Sequence, residues 1–234
     1  MLQVIAYAVI ASVALPIGAL AGAMLNIPKA VLAMLLGFAS GALISAVAFE
    51  LFDQAIDHGG VARAGISFLA GATVFVLIDS WLERRTARRV NSGAGVGFAL
   101  LAGVTLDGVP ENLAMGVSLI EGSSLALLVA IFVSNFPEAL VGAEKMKEAG
   151  MSVRSSVLIW SLAAVLLALA VIFGYLALDG VERSTLSIPL AFAAGAVLAS
   201  LADTVMPEAF AEGGIKVAYA TALGFLLSYL LSAG

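Results

Sequence analysis

The sequence predicts an all-α polytopic membrane protein, with eight transmembrane helices in an inverted pseudosymmetric repeat that form one domain over 1–234. Three observations carry this. First, 62% of the 234 residues are hydrophobic and 12% are charged, whereas a soluble domain carries about 25% charged residues. Mean hydropathy is +1.11. Second, apolar runs punctuated by Gly, Pro and charge are each long enough for the roughly 20 residues that a bilayer core requires. Third, nine of the eleven basic residues fall at alternate connections.

The first span, 2–25, has no basic segment before it and is too long for a signal-peptide core, so it reads as a retained helix. The second, 29–52, follows Pro28 and Lys29. The third, 64–82, ends at the basic cluster Glu83–Arg89. The fourth, 94–120, starts glycine-rich, which predicts an irregular beginning. The fifth, 124–143, ends before Lys145 and Lys147. The sixth, 154–178, is almost wholly apolar. The seventh, 186–206, and the eighth, 215–233, flank "MPEAFAEGG".

Lys29, Arg84, Arg85, Arg88, Arg89, Lys145, Lys147, Arg154 and Lys216 lie at odd-numbered connections, leaving only Arg63 and Arg183 at even ones. By the positive-inside rule the odd connections are cytoplasmic and both termini lie outside. "ERRTARR" is then a membrane-flanking cluster, and no nucleic-acid partner is expected. The implied setting is the lipid bilayer of a bacterial inner membrane. There is no cysteine, which removes disulfide and thiolate chemistry, and His58 is the single histidine. Gly18/Gly22 and Gly37/Gly41 have the spacing that permits close helix contact. Intrachain packing is the favoured use of these pairs, and a homodimer face is the other.

"FASGALISAVAFELFDQA" (Phe38–Ala55) aligns without gaps on "FAAGAVLASLADTVMPEA" (Phe192–Ala209). The predicted topology runs these two segments in opposite directions. Inverted repeats with Pro- or Gly-interrupted segments at matching positions point to a transporter whose site lies near the midplane.

Two neighbouring spans carry "DGVPENLAMG" and "SNFPEALVGA". Asp107 and Glu111 are one turn apart on one helix face, as are Ser134 and Glu138 on the next span, with Asn135 close by. Pro110 and Pro137 have no N–H and are expected to free the carbonyls of Leu106 and Val133. Such carbonyls must be satisfied within protein or water. Carboxylates, amides, hydroxyls and carbonyls together form an oxygen set suited to a hard cation. Glu50, Asp79, Asp107, Glu111, Glu138 and Asp203 fall in or near the spans, and no Lys or Arg falls well inside one. A charge at the bilayer centre costs at least about 2.5–3.5 kcal/mol on insertion scales. Carboxylates without counter-charges suit a path that cations visit. Glu208 and Glu212 read as solvated ends or exit-side ligands. His58, beside Asp53 and Asp57, could attract metal at the opposite mouth.

These residues resemble the ZIP (Zrt-, Irt-like) metal transporter family. Its fourth helix carries a pattern close to His-Asn-x-Pro-Glu-Gly, and a related motif recurs in its fifth. The resemblance covers the whole chain and implies eight spans with external termini. It also implies that Glu111 and Glu138 bridge metal, with Asp107 at the position of the first histidine and Ser134 at the lead position of the fifth helix. Asn135 is a polar ligand, Asn112 replaces the glycine after Glu111, and Asp203 or Thr204 matches a ligand position in the seventh span. The site histidines are replaced, and the sixth span lacks the acid that some members carry there. An oxygen shell leaves manganese, iron, magnesium or broad divalent selectivity open, and zinc also binds carboxylates.

The expectation is a divalent-cation transporter working by alternating access toward the cytoplasm. It would have no catalytic residue and no resident cofactor, the metal being cargo. The alternative is a non-transporting metal sensor or scaffold. An intramembrane aspartyl protease using Asp79 and Asp107 lacks the expected GxGD context, since the chain reads "LIDS" and "TLDG".

Overall fold

The computed structural model describes residues 1–86, 93–122 and 124–233. Every regular element among them is helical. In chain order these are α1 (Leu2–Met24), α2 (Lys29–Ala46), α3 (Asp53–Thr86), α4 (Gly93–Glu121), α5 (Leu125–Glu148), α6 (Val153–Leu178), α7 (Arg183–Ser200), α8 (Met206–Gly213) and α9 (Lys216–Ser232). A π-helical segment, Val47–Phe52, joins α2 to α3, and a second, Leu201–Val205, joins α7 to α8.

Among the described residues, five helical runs are long and apolar enough to cross a bilayer: Leu2–Met24, Lys29–Arg85, Leu125–Glu148, Val153–Leu178 and Arg183–Gly213. Their outward faces carry leucine, isoleucine, valine and phenylalanine, including Leu69, Leu77, Leu162 and Phe173. No water-soluble fold tolerates so much exposed apolar surface. The chain is an all-helical polytopic membrane protein.

The helices pack in parallel pairs. α1 lies along α5, α4 along α6, α2 along α9 and α3 along α7, while α1 also meets α6. Small residues set each pair. Gly18 and Gly22 seat α1 against the carbonyls of Phe136 and Leu140, and Gly174 seats α6 against that of Leu113. Gly41 and Gly224 do the same between α2 and α9, as Gly71 and Gly195 do between α3 and α7. Both GxxxG pairs are thus used within the chain. Lipid tails are as apolar as leucine, so close backbone contact and dispersion must hold such pairs together.

Several expected boundaries move. The second span does not stop at 52, because the helix runs on through the stretch expected to be a loop. It breaks only at Gly60, whose φ of 78° and ψ of 161° leave the helical region. The seventh span likewise continues through its π-helical segment into α8. The glycine-rich start of α4 is helical from Gly93 onward. Residues 87–92, with Arg88 and Arg89, lie outside the described residues. Lys145 and Lys147, expected in a connection, sit on the last turns of α5.

The described charges gather at two ends. At one, Lys29 pairs with Glu212 at 3.6 Å, Lys145 with Glu208 at 2.6 Å, and Lys147 donates to Asn26 at 2.7 Å. We call this the lysine end. At the other, the Glu121 end, Arg183 and His58 meet Glu121 at 3.0 and 3.6 Å.

Candidate functional site

Pro110 and Pro137 lie inside unbroken helices. On α4, Asp107 and Glu111 face α5, and the Glu111 carboxylate lies within electrostatic reach of both Glu138 and Asp107. On α5, the Ser134 hydroxyl donates to Glu138 Oε1 at 2.6 Å, which fixes that carboxylate along the helix. Glu111 is only 5% exposed and its Oε1 is buried without a hydrogen-bond partner. A buried acceptor left unpaired loses its hydration with no return, costing about 1–3 kcal/mol.

The two asparagines divide differently. Asn112 is fully buried. Its Nδ2 donates back to the Gly108 carbonyl at 2.8 Å, and its Oδ1 has no partner. Asn135 donates across to the Ala11 carbonyl at 3.0 Å and so pins α5 to α1. Its amide nitrogen thereby holds the helix that presents Glu138.

Asp107 and Glu138 open into a cavity of about 160 Å³ that reaches the lysine end past Thr204, Glu208, Lys145 and Trp160. Glu111 does not line it. Asp203 and Thr204 separate: Thr204 lines the cavity, whereas Asp203 does not and points its carboxyl at Asp79. The Thr204 hydroxyl donates to the Ser200 carbonyl at 2.8 Å. Sequence reasoning did not single out Ser200, a buried hydroxyl that faces Asp107. It also missed Trp160, a 2%-exposed wall of the cavity that stacks over Gly142. Neither residue carries a signal in a serine- and alanine-rich helix.

Among the described residues, no three His, Asp or Glu side chains converge as a ready-made metal shell. The site offers paired carboxylates, with a hydroxyl and an amide beside them. A cation held there would draw Asp107, Glu111 and Glu138 together.

A second cavity, of about 170 Å³, opens at the Glu121 end between Glu50, Gln54, Ser118, Glu121 and Ser124. His58 meets Glu121 here. Glu50 lies at the π-helical segment after α2, where Ser232 of α9 donates to its carboxylate.

Compared with models of known protein families and with curated proteins, the chain matches none.

Proposed function

We propose that this protein is a ZIP-like divalent-metal transporter. The observation that carries the proposal is a set of three carboxylates, Asp107 and Glu111 on α4, each within electrostatic reach of Glu138 on α5. A cavity joins Asp107 and Glu138 to one end of the molecule. Carboxylates facing one another inside a bilayer repel and are poorly solvated. A divalent cation relieves both penalties at once. Asp107, Glu111 and Glu138 hold it, Ser134 and the amides of Asn112 and Asn135 lend oxygens, and Asp203 with Thr204 flanks the way out.

The proposal counts eight spans: α1, α2, α3, α4, α5, α6, α7 with α8, and α9. Two observations support an inverted repeat. The π-helical segments begin at Val47 and Leu201, which are matched positions in the ungapped alignment of Phe38–Ala55 with Phe192–Ala209. The helix pairs also exchange under that repeat, α2 on α9 becoming α7 on α3, and α1 on α5 becoming α6 on α4. Single π turns inside helices recur at functional sites. The positive-inside rule makes the lysine end cytoplasmic, with both termini outside and the membrane a bacterial plasma membrane. Metal then enters at the Glu121 end and leaves past Glu208, as the bundle of α1, α4, α5 and α6 rocks against the remaining helices.

The test is a competition panel in proteoliposomes. Uptake of Mn²⁺ is measured against Zn²⁺, Fe²⁺, Mg²⁺ and Ca²⁺, for wild type and for Glu111→Gln. Saturable wild-type uptake that is lost in Glu111→Gln supports the proposal. Equal uptake by both proteins overturns the site.

A second reading, a metal sensor or scaffold that binds without transport, draws on the absence of a converged three-acid shell among the described residues. Metal-dependent thermal stabilisation without any flux would favour it.

A further inference from the structure

We propose that Lys145 is the specificity-determining residue of the lysine-end mouth, a tethered cation that occupies Glu208 and that the transported ion must displace. The proposal rests on the metal-transport reading above.

Lys145 stands two turns beyond Glu138 on α5, so both side chains project from one helix face into the same cavity. Its ammonium lies 2.6 Å from Glu208 Oε1, and the two side chains are 45% and 36% exposed. They therefore stand at the mouth rather than in the buried site. Glu208 is in turn within electrostatic reach of Glu138. A cation leaving Asp107 and Glu138 next meets a carboxylate that already holds a positive charge.

The internal repeat shows what is special about this arrangement. Aligning Pro110 with Pro137 sets Ser118 opposite Lys145. Aligning Phe38 with Phe192 sets Gln54 opposite Glu208 and Glu50 opposite Thr204. Ser118, Gln54 and Glu50 all line the cavity at the Glu121 end. The two mouths are thus built from matched positions and differ in charge. At the first, Glu121 is held by Arg183, while the Glu50 carboxylate meets a hydroxyl, that of Ser232, beside a neutral Gln54 and Ser118. The other presents Glu208 already neutralised by Lys145. An incoming cation finds the Glu50 carboxylate at the first mouth and faces a competing ammonium at the second. Lys145 therefore weakens loading from the lysine end and favours unloading there, without altering the final equilibrium distribution.

The test compares Mn²⁺ transport from each face in sidedness-sorted proteoliposomes, for wild type, Lys145→Gln, Lys145→Arg and Lys145→Gln combined with Glu208→Gln. Lys145→Gln is expected to lower KM at the lysine-end face by about two- to fivefold, the size of a partly exposed ion pair. KM at the opposite face should stay unchanged. Lys145→Arg should retain wild-type values, and Glu208→Gln should cancel the gain. A purely structural Lys145 would instead lower the melting temperature and move both faces together. Wild-type flux with no face-specific change in Lys145→Gln overturns the proposal alone. Absence of any wild-type Mn²⁺ flux or binding overturns the metal reading and this proposal with it.

Discussion

The two ends of the molecule each open into a cavity lined by carboxylates, yet they are chemically different. At the Glu121 end, a carboxylate on α4 meets Arg183 of α7 and His58 of α3, so an ion cluster ties the two helix groups together. Glu111, the site acid nearer that end, is sealed from the solvent. At the lysine end, Asp107 and Glu138 communicate with an open cavity. The difference teaches that the structure is closed on one side of the carboxylates and open on the other.

The comparison breaks most completely if the shared centre is removed. Glu111→Ala and Glu138→Ala are each expected to reduce divalent-metal uptake to the protein-free background while the purified protein keeps its helical circular dichroism. Retained uptake in both would detach function from the α4–α5 pair.

A packing change should come next. Gly22 and Gly174 sit at matched close contacts, against the carbonyls of Leu140 and Leu113. Replacing either by leucine forces the helix pair apart, and overpacking of this kind costs about 1–3 kcal/mol. The expected readout is a clear fall in melting temperature for each variant, similar in size for the two. A large effect at only one position would argue that the two halves are not equivalent.

Ser134→Ala removes a hydroxyl that donates to Glu138. Hydrogen bonds to charged groups contribute about 1.5–3 kcal/mol, so metal affinity should weaken roughly tenfold or more by titration calorimetry. An unchanged affinity would mean that Ser134 does not orient the carboxylate that binds metal.

The smallest effect is expected at the Glu121 end. Arg183 is three-quarters exposed where it meets Glu121, and exposed ion pairs contribute about 0–1 kcal/mol. Arg183→Gln should change uptake rate by no more than about fivefold and should reduce its dependence on ionic strength. A complete loss of transport would promote this cluster from a latch to part of the site.

Much of this was legible in the sequence because a bilayer imposes a one-dimensional pattern of apolar runs and flanking charge. The two Pro-Glu motifs stood out because acids are rare in such runs; Ser134 donates to Glu138, and Glu111 lies within electrostatic reach of Glu138. Other features depend on three-dimensional neighbours. The helix through 53–59 continues because a π-helical turn carries it past a stretch that is polar enough to look like a loop. His58 has Asp53 and Asp57 beside it in the chain, yet it meets Glu121, which the fold supplies from another helix. Lys145 reads as an orienting charge, and only the fold, which brings Glu208 to it, makes it a cavity wall. Asp203 and Thr204 are adjacent in sequence, yet only Thr204 lines the cavity, because successive residues on a helix point in different directions.

The central claim is that a divalent cation binds between α4 and α5 on Asp107, Glu111 and Glu138. The most direct measurement is an anomalous-scattering map from crystals grown with Mn²⁺. The account predicts a peak between these three carboxylates, at oxygen distances of about 2.1–2.3 Å, that disappears in Glu111→Gln crystals. A peak confined to the mouths, or none at saturating Mn²⁺, would contradict it.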